Sequence, residues 1–367
     1  MSDTFRLATR SSDLALRQAG QVRDAIQGRR TDVELLHVQT RGDRLRDELI
    51  SRLGKTGAFV RALDERVIDG EADAAVHSLK DVPTEVPEEI SFAAVTERAP
   101  AGDVLVTPAD NTAGLDDLLV GATVGTSSLR RRAELLAERP DLTVEPLRGN
   151  VDTRVQKLIA PDLRTEHERR VAAEEGDVDE EFDRTPEEWF DDLTELERSA
   201  LEREPDTEYD AIVLAEAGLR RSDLYDHPAY ETHRLPRSTF VPAPGQGAIA
   251  VTTATREARE TVRDAIDHPP TRVTTTVERT ILAELGGGCV APIGIHALLQ
   301  GEHVSVQVRV LSADGDEEIA ASRDLPADRH AAAAREFAAE LRAEGAAELI
   351  EAAKRENAPD ESDEPMP

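Results

Sequence analysis

Cysteine is almost absent from this chain, because only Cys289 among 367 residues carries a thiol. One thiol excludes a disulfide bond within the chain, and the N-terminus lacks the long apolar core of a secretory signal, so we expect a cytoplasmic protein. No apolar run is long enough to cross a bilayer. The nine histidines show no metal-binding spacing, and Walker and GxGxxG loops are absent. We therefore expect no metal site.

Lysine is also scarce, since only Lys55, Lys80, Lys157 and Lys354 occur among 44 basic residues, whereas 75 acidic residues give a formal net charge of −31. A charge of this sign argues against nucleic acid or an anionic membrane as a partner of the whole molecule. The acidic excess and the preference for arginine together indicate a halophilic surface. Because concentrated salt screens diffuse charge, an anion-binding site here needs clustered or buried arginines.

The first 150 residues alternate short apolar runs with stretches of helical period, which indicates an α/β fold. We predict strands at 5–9, 33–38, 72–77, 90–95, 104–107, 123–125, 144–147 and 209–215. We predict helices at 59–69, 129–138 and 151–159. An earlier helical face is formed by Leu14, Ala15, Gln18, Val22 and Ile26.

The last third of the chain has a different pattern. A predicted helix at 272–285 is followed by alternating strands at 295–299, 304–310 and 319–323, and then by one or two alanine-rich helices over 330–354, interrupted near Gly345. We therefore predict a separate α+β domain over 268–356 and an acidic tail over 357–367. Segment 160–208, with 20 acidic residues against six arginines, is predicted to be a solvated insertion.

Arginine and serine recur where predicted strands run into helices. The junctions are Arg10-Ser11-Ser12, Gly125–Arg132 with Ser127, Ser128, Arg130 and Arg131, and Leu147–Arg154 with Arg148 and Arg154. In the first two junctions a serine can cap the helix while free backbone N–H groups face an anion, and the arginines of all three offer forked donors for carboxylate or phosphate. Any one arginine could be a surface residue. Together, the junctions indicate a ligand with several carboxylates or phosphates at one sheet edge.

His77–Pro83 ends another predicted strand and places Lys80 beside Asp81. Pro83 stiffens the turn, and an aspartate near several cations stays ionised, so Asp81 can accept N–H donors or stabilise a developing cation. The alternative is an ordinary turn in which Asp81 pairs with Lys80. A lysine in a chain that otherwise prefers arginine indicates that a compact ammonium group is needed there.

Cys289 follows three glycines, Gly286–Gly288, directly after the predicted helix at 272–285. Glycine removes side-chain bulk and widens the range of backbone angles, so the thiol can lie on an accessible loop. The alternative is an inert cysteine packed as a small apolar residue. His296 lies seven residues further on, which is weak evidence for a Cys–His nucleophile pair. Segment 244–248 has two glycines after a proline and is predicted to be a hinge or a tight turn.

Seven segments taken in order resemble the porphobilinogen deaminase family, whose members are also called hydroxymethylbilane synthases. These segments are Ala8–Ser12, His77–Pro83, Gly125–Arg131, Leu147–Arg154, Leu214–Arg221, Pro244–Ala248 and Gly287–Cys289. The likeness covers about residues 5–158 and 209–296. It implies two α/β domains of the type II periplasmic-binding-protein kind, at 1–100 with 241–264 and at 101–240, and a small α+β domain that carries the cysteine.

The resemblance implies a transferase of porphyrin and heme biosynthesis that joins four porphobilinogen molecules head to tail. The enzyme would release four ammonia, and water would then release the linear hydroxymethylbilane. Its primer in this family is a dipyrromethane cofactor bound by a thioether to the loop cysteine, here Cys289. By the same resemblance, Asp81 would hold pyrrole N–H groups and stabilise the cationic azafulvene left when ammonia departs.

The remaining site residues are assigned by the resemblance to two sets of carboxylates. The acetate and propionate groups of the cofactor would be held by Ser78, Lys80, Thr126, Ser128, Arg130 and Arg131. The carboxylates of the incoming substrate would be held by Arg10, Ser12, Arg148, Arg154 and Arg221. Because pyrrole supplies its own nucleophilic carbon, an activated serine or histidine is not needed. The implied partners are porphobilinogen and its oligomers, with a monomeric chain and uroporphyrinogen III synthase as a candidate downstream partner.

Some positions depart from the family pattern. Asp13 stands where proline is common, and Lys55 is displaced by one position, so no role is assigned to it. The insertion at 160–208 has no usual counterpart and precedes the strand that leads to Arg221. Two other classes remain open. One is a two-lobed anion- or solute-binding protein without catalysis, and the other is a cysteine-dependent acyltransferase or hydrolase, which would need a histidine near Cys289.

Overall fold

A computed structural model describes residues 4–28, 32–38, 56–109, 114–203, 207–288 and 291–356. Its strands are β1 (Phe5–Arg10), β2 (Val33–Val38), β3 (Ala74–Ser78), β4 (Ser91–Val95), β5 (Asp103–Pro108), β6 (Thr123–Gly125), β7 (Thr143–Glu145), β8 (Ala211–Ala215), β9 (Tyr230–Arg234), β10 (Ile249–Thr253), β11 (Ile293–Gln300), β12 (His303–Leu311) and β13 (Glu318–Pro326). Its helices are α1 (Asp13–Gln27), α2 (Thr56–Ile68), α3 (Leu129–Glu138), α4 (Val151–Glu175), α5 (Pro186–Asp192), α6 (Glu195–Leu201), α7 (Glu216–Arg221), α8 (Arg256–Ile266), α9 (Pro269–Glu284), α10 (His330–Ala343) and α11 (Ala346–Glu356). Within these ranges, no helix has the length and apolar character needed to cross a membrane.

Two five-stranded sheets share one arrangement. In the first, the order is β2-β1-β3-β10-β4, where β1, β2 and β3 are parallel and β10 is antiparallel to both of its neighbours. In the second, the order is β7-β6-β8-β5-β9, where β6, β7 and β8 are parallel and β5 is antiparallel to both of its neighbours. Parallel strands need long crossover connections, which explains the alternation of strands and helices in the sequence.

The antiparallel strand of each sheet belongs to a segment that arrives from the other sheet. The chain leaves β4 of the first sheet to form β5 of the second, and it returns from β9 to form β10. Hydrogen bonds connect these two crossing segments, because Ala99 N donates to Gly247 O at 3.1 Å and Leu235 N donates to Asp103 O at 3.0 Å. The predicted hinge or turn at 244–248 therefore lies in the segment that returns to the first sheet.

Both faces of each α/β sheet are covered by helices, so the strands are apolar on both sides. In β1, Leu7 packs with Val22 of α1, whereas the next residue, Ala8, packs with Leu63 of α2 on the opposite face. Helices α3 and α4 cover the two faces of the second sheet in the same way. The face of the sheet on which each residue packs thus follows from the two-residue period of a strand.

The C-terminal unit is an antiparallel sheet of order β11-β12-β13 packed against α9, α10 and α11. Its core includes Ile281 of α9, Val306 of β12 and Phe337 of α10, all at most 2% exposed. Gly345, with φ of +100°, separates α10 from α11 where the interruption was predicted. The predicted fold class, α/β with two main sheets and a small α+β part, is confirmed.

The acidic segment differs most from the prediction. Helix α4 does not end at residue 159 but continues through Pro161 to Glu175. Leu163 of this extension and Leu196 of α6 pack against the core of the second sheet, and Ala200 is fully buried there. The described part of segment 160–208 is therefore largely helical and attached to the second sheet. The sequence patterns also did not predict β9, α7 or α8.

Candidate active site

Asp81 lies in a short 3-10 turn, Leu79–Asp81, that directly follows strand β3. The segment returning to the first sheet anchors this turn, because Leu79 N donates to Ala248 O at 3.0 Å. Gly245 has φ of +75°, and a Cβ there would lie 2.9 Å from Leu79 Cγ. Glycine at this position therefore lets the returning segment pass directly against the turn that carries Asp81.

Ser78, the last residue of β3, is held by Gln18 of α1. The Gln18 side chain is buried, and its amide exchanges hydrogen bonds with Ser78 Oγ at 3.1 and 3.2 Å. Gln18 is not among the predicted site residues, although a glutamine on the apolar face of a predicted helix indicates a buried polar contact. Arg10 ends the neighbouring parallel strand β1, and Ser12 is the N-cap residue of α1 without a side-chain capping bond.

The second sheet has an equivalent junction between β6 and α3. Ser128 caps the helix by accepting a hydrogen bond from Arg131 N at 3.5 Å, and Thr126 Oγ1 accepts one from Ser128 N at 3.2 Å. Ser127 Oγ instead donates to Leu147 O at 2.7 Å. Of the two predicted capping serines, Ser128 is therefore the cap, whereas Ser127 connects this junction to the next one.

Arg130 and Arg131 are buried and share the carboxylate of Asp103. Arg130 Nη2 donates to Oδ2 and Arg131 Nη2 donates to Oδ1, each at 2.8 Å. Arg130 Nη1 also donates to Glu134 Oε2 at 2.7 Å, and Gln246 Nε2 donates to Asp103 Oδ1 at 2.8 Å. Because Asp103 begins β5 and Gln246 lies in the returning segment, this cluster fixes the arginines to both crossing segments.

The protonation of this cluster follows from burial and charge. Burial alone would raise the pKa of Asp103, but the charges and hydrogen bonds of Arg130 and Arg131 outweigh it and hold that pKa below its ordinary value of 3.8. Burial also raises the pKa of Glu134, although the charge of Arg130 opposes the shift. Asp103 is therefore ionised between the two guanidinium groups, which it holds in place.

The third junction lies between β7 and α4. Gly149 has φ of +116°, and a Cβ there would lie 2.5 Å from Thr153 Cγ2, so the turn requires glycine. Arg154 Nε donates to Gly149 O at 2.8 Å, and the half-buried Arg148 immediately precedes the turn. The turn thus brings two arginines to the start of α4.

Charges of side chains from three junctions influence one another. Burial lowers the pKa of Lys80; Asp81 opposes this shift, whereas Arg131 and Arg154 add to it. Burial also lowers the pKa of Arg154 to about 10, with a further contribution from Arg131 and opposition from Asp81. Because charge effects decline with distance, the structure brings these four side chains together. Three cations near one carboxylate suit a ligand with several negative charges.

Arg221 ends α7 and contacts the returning segment, where its Nη2 donates to Gly247 O at 2.7 Å. Burial lowers the pKa of Arg221. Cys289 and Lys55 lie outside the described residues. The assignment of the thioether to Cys289 therefore stays a prediction.

Helix α9, which precedes the glycines before Cys289, is attached to both crossing segments through Glu278. The Glu278 side chain is fully buried, and Arg98 donates to its two oxygens at 2.6 and 3.1 Å. The backbone N–H groups of Gly245 and Ala297 donate to the same carboxylate at 2.7 Å each. This carboxylate joins the C-terminal unit to the connection between the two main sheets.

The donor set fits a cofactor with several carboxylates. Such a cofactor needs buried cationic donors that the protein itself leaves unused. The Nε atoms of Arg130 and Arg131 are buried without a hydrogen-bond partner in the part of the chain that the structure describes. Lys80 and Arg154 add positive charge beside them. Together with Ser78 and Thr126, these residues could hold the acidic side chains of a dipyrromethane.

The fold and the site together define an α/β protein with two main sheets and a group of cations around one carboxylate. A family model described as "Porphobilinogen deaminase, dipyromethane cofactor binding domain" matches residues 5–167 and 195–263, and one described as "Porphobilinogen deaminase, C-terminal domain" matches residues 273–344. The chain therefore belongs to the porphobilinogen deaminase family. It is an enzyme of tetrapyrrole synthesis, its substrate is porphobilinogen and its cofactor is dipyrromethane.

Two relatives agree with this assignment. A probable porphobilinogen deaminase of Halobacterium salinarum is 52% identical over 97% of this chain and 99% of its own length, which is consistent with the predicted halophilic surface. A porphobilinogen deaminase of Nitratidesulfovibrio vulgaris is 39% identical over 81% of this chain and 79% of its own. Among solved structures, the BvgS VFT2 domain of Bordetella pertussis is 16% identical over 71% of this chain and 86% of its own, with a TM-score of 0.36.

Proposed function

We propose that this protein is a hydroxymethylbilane synthase that adds four porphobilinogen molecules in sequence to one growing chain. In each addition, the C–N bond of the substrate's aminomethyl group breaks and ammonia leaves. A C–C bond forms between that methylene carbon and a pyrrole carbon of the chain, which loses a proton. Water then releases the linear product. The observation that carries this proposal is the Asp81 carboxylate among the cations Lys80, Arg131 and Arg154.

Asp81 is the catalytic residue in this proposal. Its carboxylate stabilises the positive charge that develops on the methylene carbon as ammonia departs, and it accepts hydrogen bonds from pyrrole N–H groups. Lys80 and Arg131 hold carboxylates of the bound rings, so the reacting carbons are positioned before the bond forms. When bound, the dipyrromethane supplies the pyrrole carbon to which the first substrate is joined.

The other residues keep the roles that the family resemblance gives them. Cofactor carboxylates are bound by Ser78, Thr126, Ser128 and Arg130, and substrate carboxylates are bound by Arg10, Ser12, Arg148, Arg154 and Arg221. Cys289 forms the thioether and serves as an anchor that does not turn over. The domain bounds proposed are 1–100 with 241–264, 101–240 and 268–356. We further propose a cytoplasmic monomer that passes its product to a uroporphyrinogen III synthase.

Intact-protein mass spectrometry tests the anchor. Freshly isolated active protein should carry a covalent increment of the mass of a dipyrromethane, and Cys289→Ser should lose it because a serine hydroxyl cannot form the thioether. Active wild-type protein of unmodified mass would overturn the proposal. Retention of the increment by Cys289→Ser would place the attachment on another residue.

Substitution of Asp81 tests the catalytic role. Asp81→Ala should abolish formation of the linear tetrapyrrole while thermal unfolding remains cooperative, because Asp81 lies in a half-buried turn and not in a core. Asp324→Ala, on the exposed edge strand β13, is the matched control and should keep wild-type turnover. Near-normal turnover by folded Asp81→Ala would refute the role of Asp81.

A further inference from the structure

Arg279 of helix α9 binds the backbone directly after Asp81. Its Nη1 donates to Val82 O at 2.7 Å, and its Nη2 donates to Pro83 O at 2.6 Å. The guanidinium also lies 5.2 Å from the centre of the Phe92 ring, which is within cation–π range. One side chain of the C-terminal unit therefore holds two successive carbonyl groups of the segment that leaves the Asp81 turn.

These two carbonyls lie directly after the turn that carries Asp81. The 3-10 turn is only three residues long, and Val82 N donates to Leu79 O at 3.2 Å at its end. Because 3-10 hydrogen bonds have poorer geometry than α-helical ones, bonds from other elements to the residues beside such a turn help to fix it. Because the planar fork of arginine bonds both carbonyls in fixed geometry, it sets the direction in which the chain leaves Asp81.

Arg279 stands beside Glu278, and the two residues attach α9 to different parts of the site. Glu278 binds Arg98 and Gly245 N of the crossing segments, whereas Arg279 binds the segment after Asp81. The same helix ends at Glu284, and the chain continues to Gly286, whose carbonyl accepts a hydrogen bond from Lys354 Nζ at 2.7 Å. Helix α9 is thus a common support for the Asp81 turn and for the residues leading to Cys289.

We propose that Arg279 is a positioning residue that sets the Asp81 carboxylate relative to the reacting carbon, an inference that rests on the proposed function. Loss of the fork would free the Val82 and Pro83 carbonyls and let the Asp81 turn shift. Displacements of about 1 Å at a reacting group reduce rates by up to about 100-fold. Because the bonds to the Val82 and Pro83 carbonyls hold backbone of the protein's own chain, their loss should leave substrate affinity largely intact.

The test compares Arg279→Ala, Arg279→Lys and the control Arg272→Ala. Arg272 lies two turns earlier on α9 and donates to Asp267 and to Ala93 O, so its loss weakens the same helix without touching the Asp81 segment. We expect kcat to fall about 10- to 100-fold in Arg279→Ala with KM within about threefold. Arg279→Lys should recover part of kcat, because an ammonium can bond one of the two carbonyls. Arg272→Ala should keep kcat within about twofold.

A double-mutant cycle separates positioning from a general structural role. Asp81→Glu displaces the carboxylate by one methylene, so a further loss of Arg279 should cost much less in that background than in the wild type. Intact mass should retain the cofactor increment in every variant. Additive effects in the cycle, a wild-type kcat in Arg279→Ala, or equal losses in Arg272→Ala and Arg279→Ala would each overturn the inference.

The outcomes also separate this inference from the function on which it rests. If Asp81→Ala is inactive but Arg279→Ala is fully active, only the positioning role fails. If Asp81→Ala turns over normally, the proposed role of Asp81 fails first. If Arg279→Ala does not fold, Arg279→Lys carries the test, and an unchanged kcat in Arg279→Lys, alone and with Asp81→Glu, would overturn the inference.

Discussion

Replacing Asp103 with asparagine removes a negative charge from between two buried guanidinium groups. Asp103 is 1% exposed and accepts hydrogen bonds from Arg130, Arg131 and Gln246, each at 2.8 Å. Asparagine has the same shape, but its amide nitrogen would replace one carboxylate oxygen. A hydrogen-bond donor would then face the N–H donor of a guanidinium group. Breaking a buried ion pair from one side costs about 3–5 kcal/mol, because the partner charge stays buried without compensation.

The assay is thermal unfolding of wild type and Asp103→Asn at one fixed molar salt concentration. In a domain of about 150–250 residues, each kcal/mol lost lowers the melting temperature by about 2–4 °C. A loss of about 3–5 kcal/mol should therefore lower it by about 6–20 °C. Salt should change this difference little, since the pair is buried and poorly screened. The pKa of Asp103 is lower in the folded state than its ordinary value of 3.8, so its contribution is present above that value and lost as pH falls through the folded pKa. The difference should therefore persist from about pH 5 to 8 and narrow below about pH 4.

Asp223→Asn is the matched control because it also removes one negative charge from an ion pair with arginine, but from an exposed one. Asp223 is 79% exposed and pairs with Arg17 of α1. Its φ of 56° is a conformation that asparagine adopts readily, so the backbone is unaffected. We expect its melting temperature to stay close to that of the wild type. Equal shifts in the two variants, or an Asp103→Asn protein as stable as the wild type, would refute the reasoning.

Two further predictions concern pH and salt. Because burial raises the pKa of Glu134 above its ordinary value of 4.5, the folded state holds this proton more tightly, and the contribution of Glu134 to stability should fall as pH rises above that value. Glu134→Gln cannot lose a proton, so urea unfolding should show it gaining stability relative to wild type between about pH 5 and 9; a constant difference would contradict this. Removal of molar salt should lower the melting temperature, since 75 acidic residues then repel one another unscreened; a melting temperature independent of salt would contradict the halophilic interpretation.

Local signals were sufficient for much of the fold. The strand at Val33–Val38 and the helix at Leu129–Glu138 have the predicted bounds, because an apolar run, a capping serine and a following proline are encoded next to one another. The helix predicted to stop before Pro161 continues, because Leu163 still packs on the second core. That packing depends on α6 and is not visible in the residues around the proline. Strand β9 was missed because it is a polar edge strand, Tyr230–Arg234.

The site was predictable in its residue types but not in its pairings. Adjacent arginines after Ser128 indicated an anion-binding junction, yet the carboxylate that orients them, Asp103, lies 27 residues before Arg130 and has no motif of its own. Arg279 is 196 residues from Pro83, whose carbonyl it binds, so only the folded structure brings them together. Sequence patterns thus identified the groups that we propose to face the ligand, whereas the groups that hold them come from distant segments.

The exchange of strands between the two sheets fixes the order in which they can be completed on the ribosome. Strand β4 pairs with β10, and about 150 residues separate them in the chain, whereas all strands of the second sheet have been synthesised by Arg234. At a synthesis rate of about 5–20 residues per second, β4 stays unpaired with β10 for on the order of 10–30 s. The first sheet is therefore completed after the second, although most of its strands are synthesised earlier. During translation the nascent chain exposes an unpaired apolar strand edge, which a chaperone could bind.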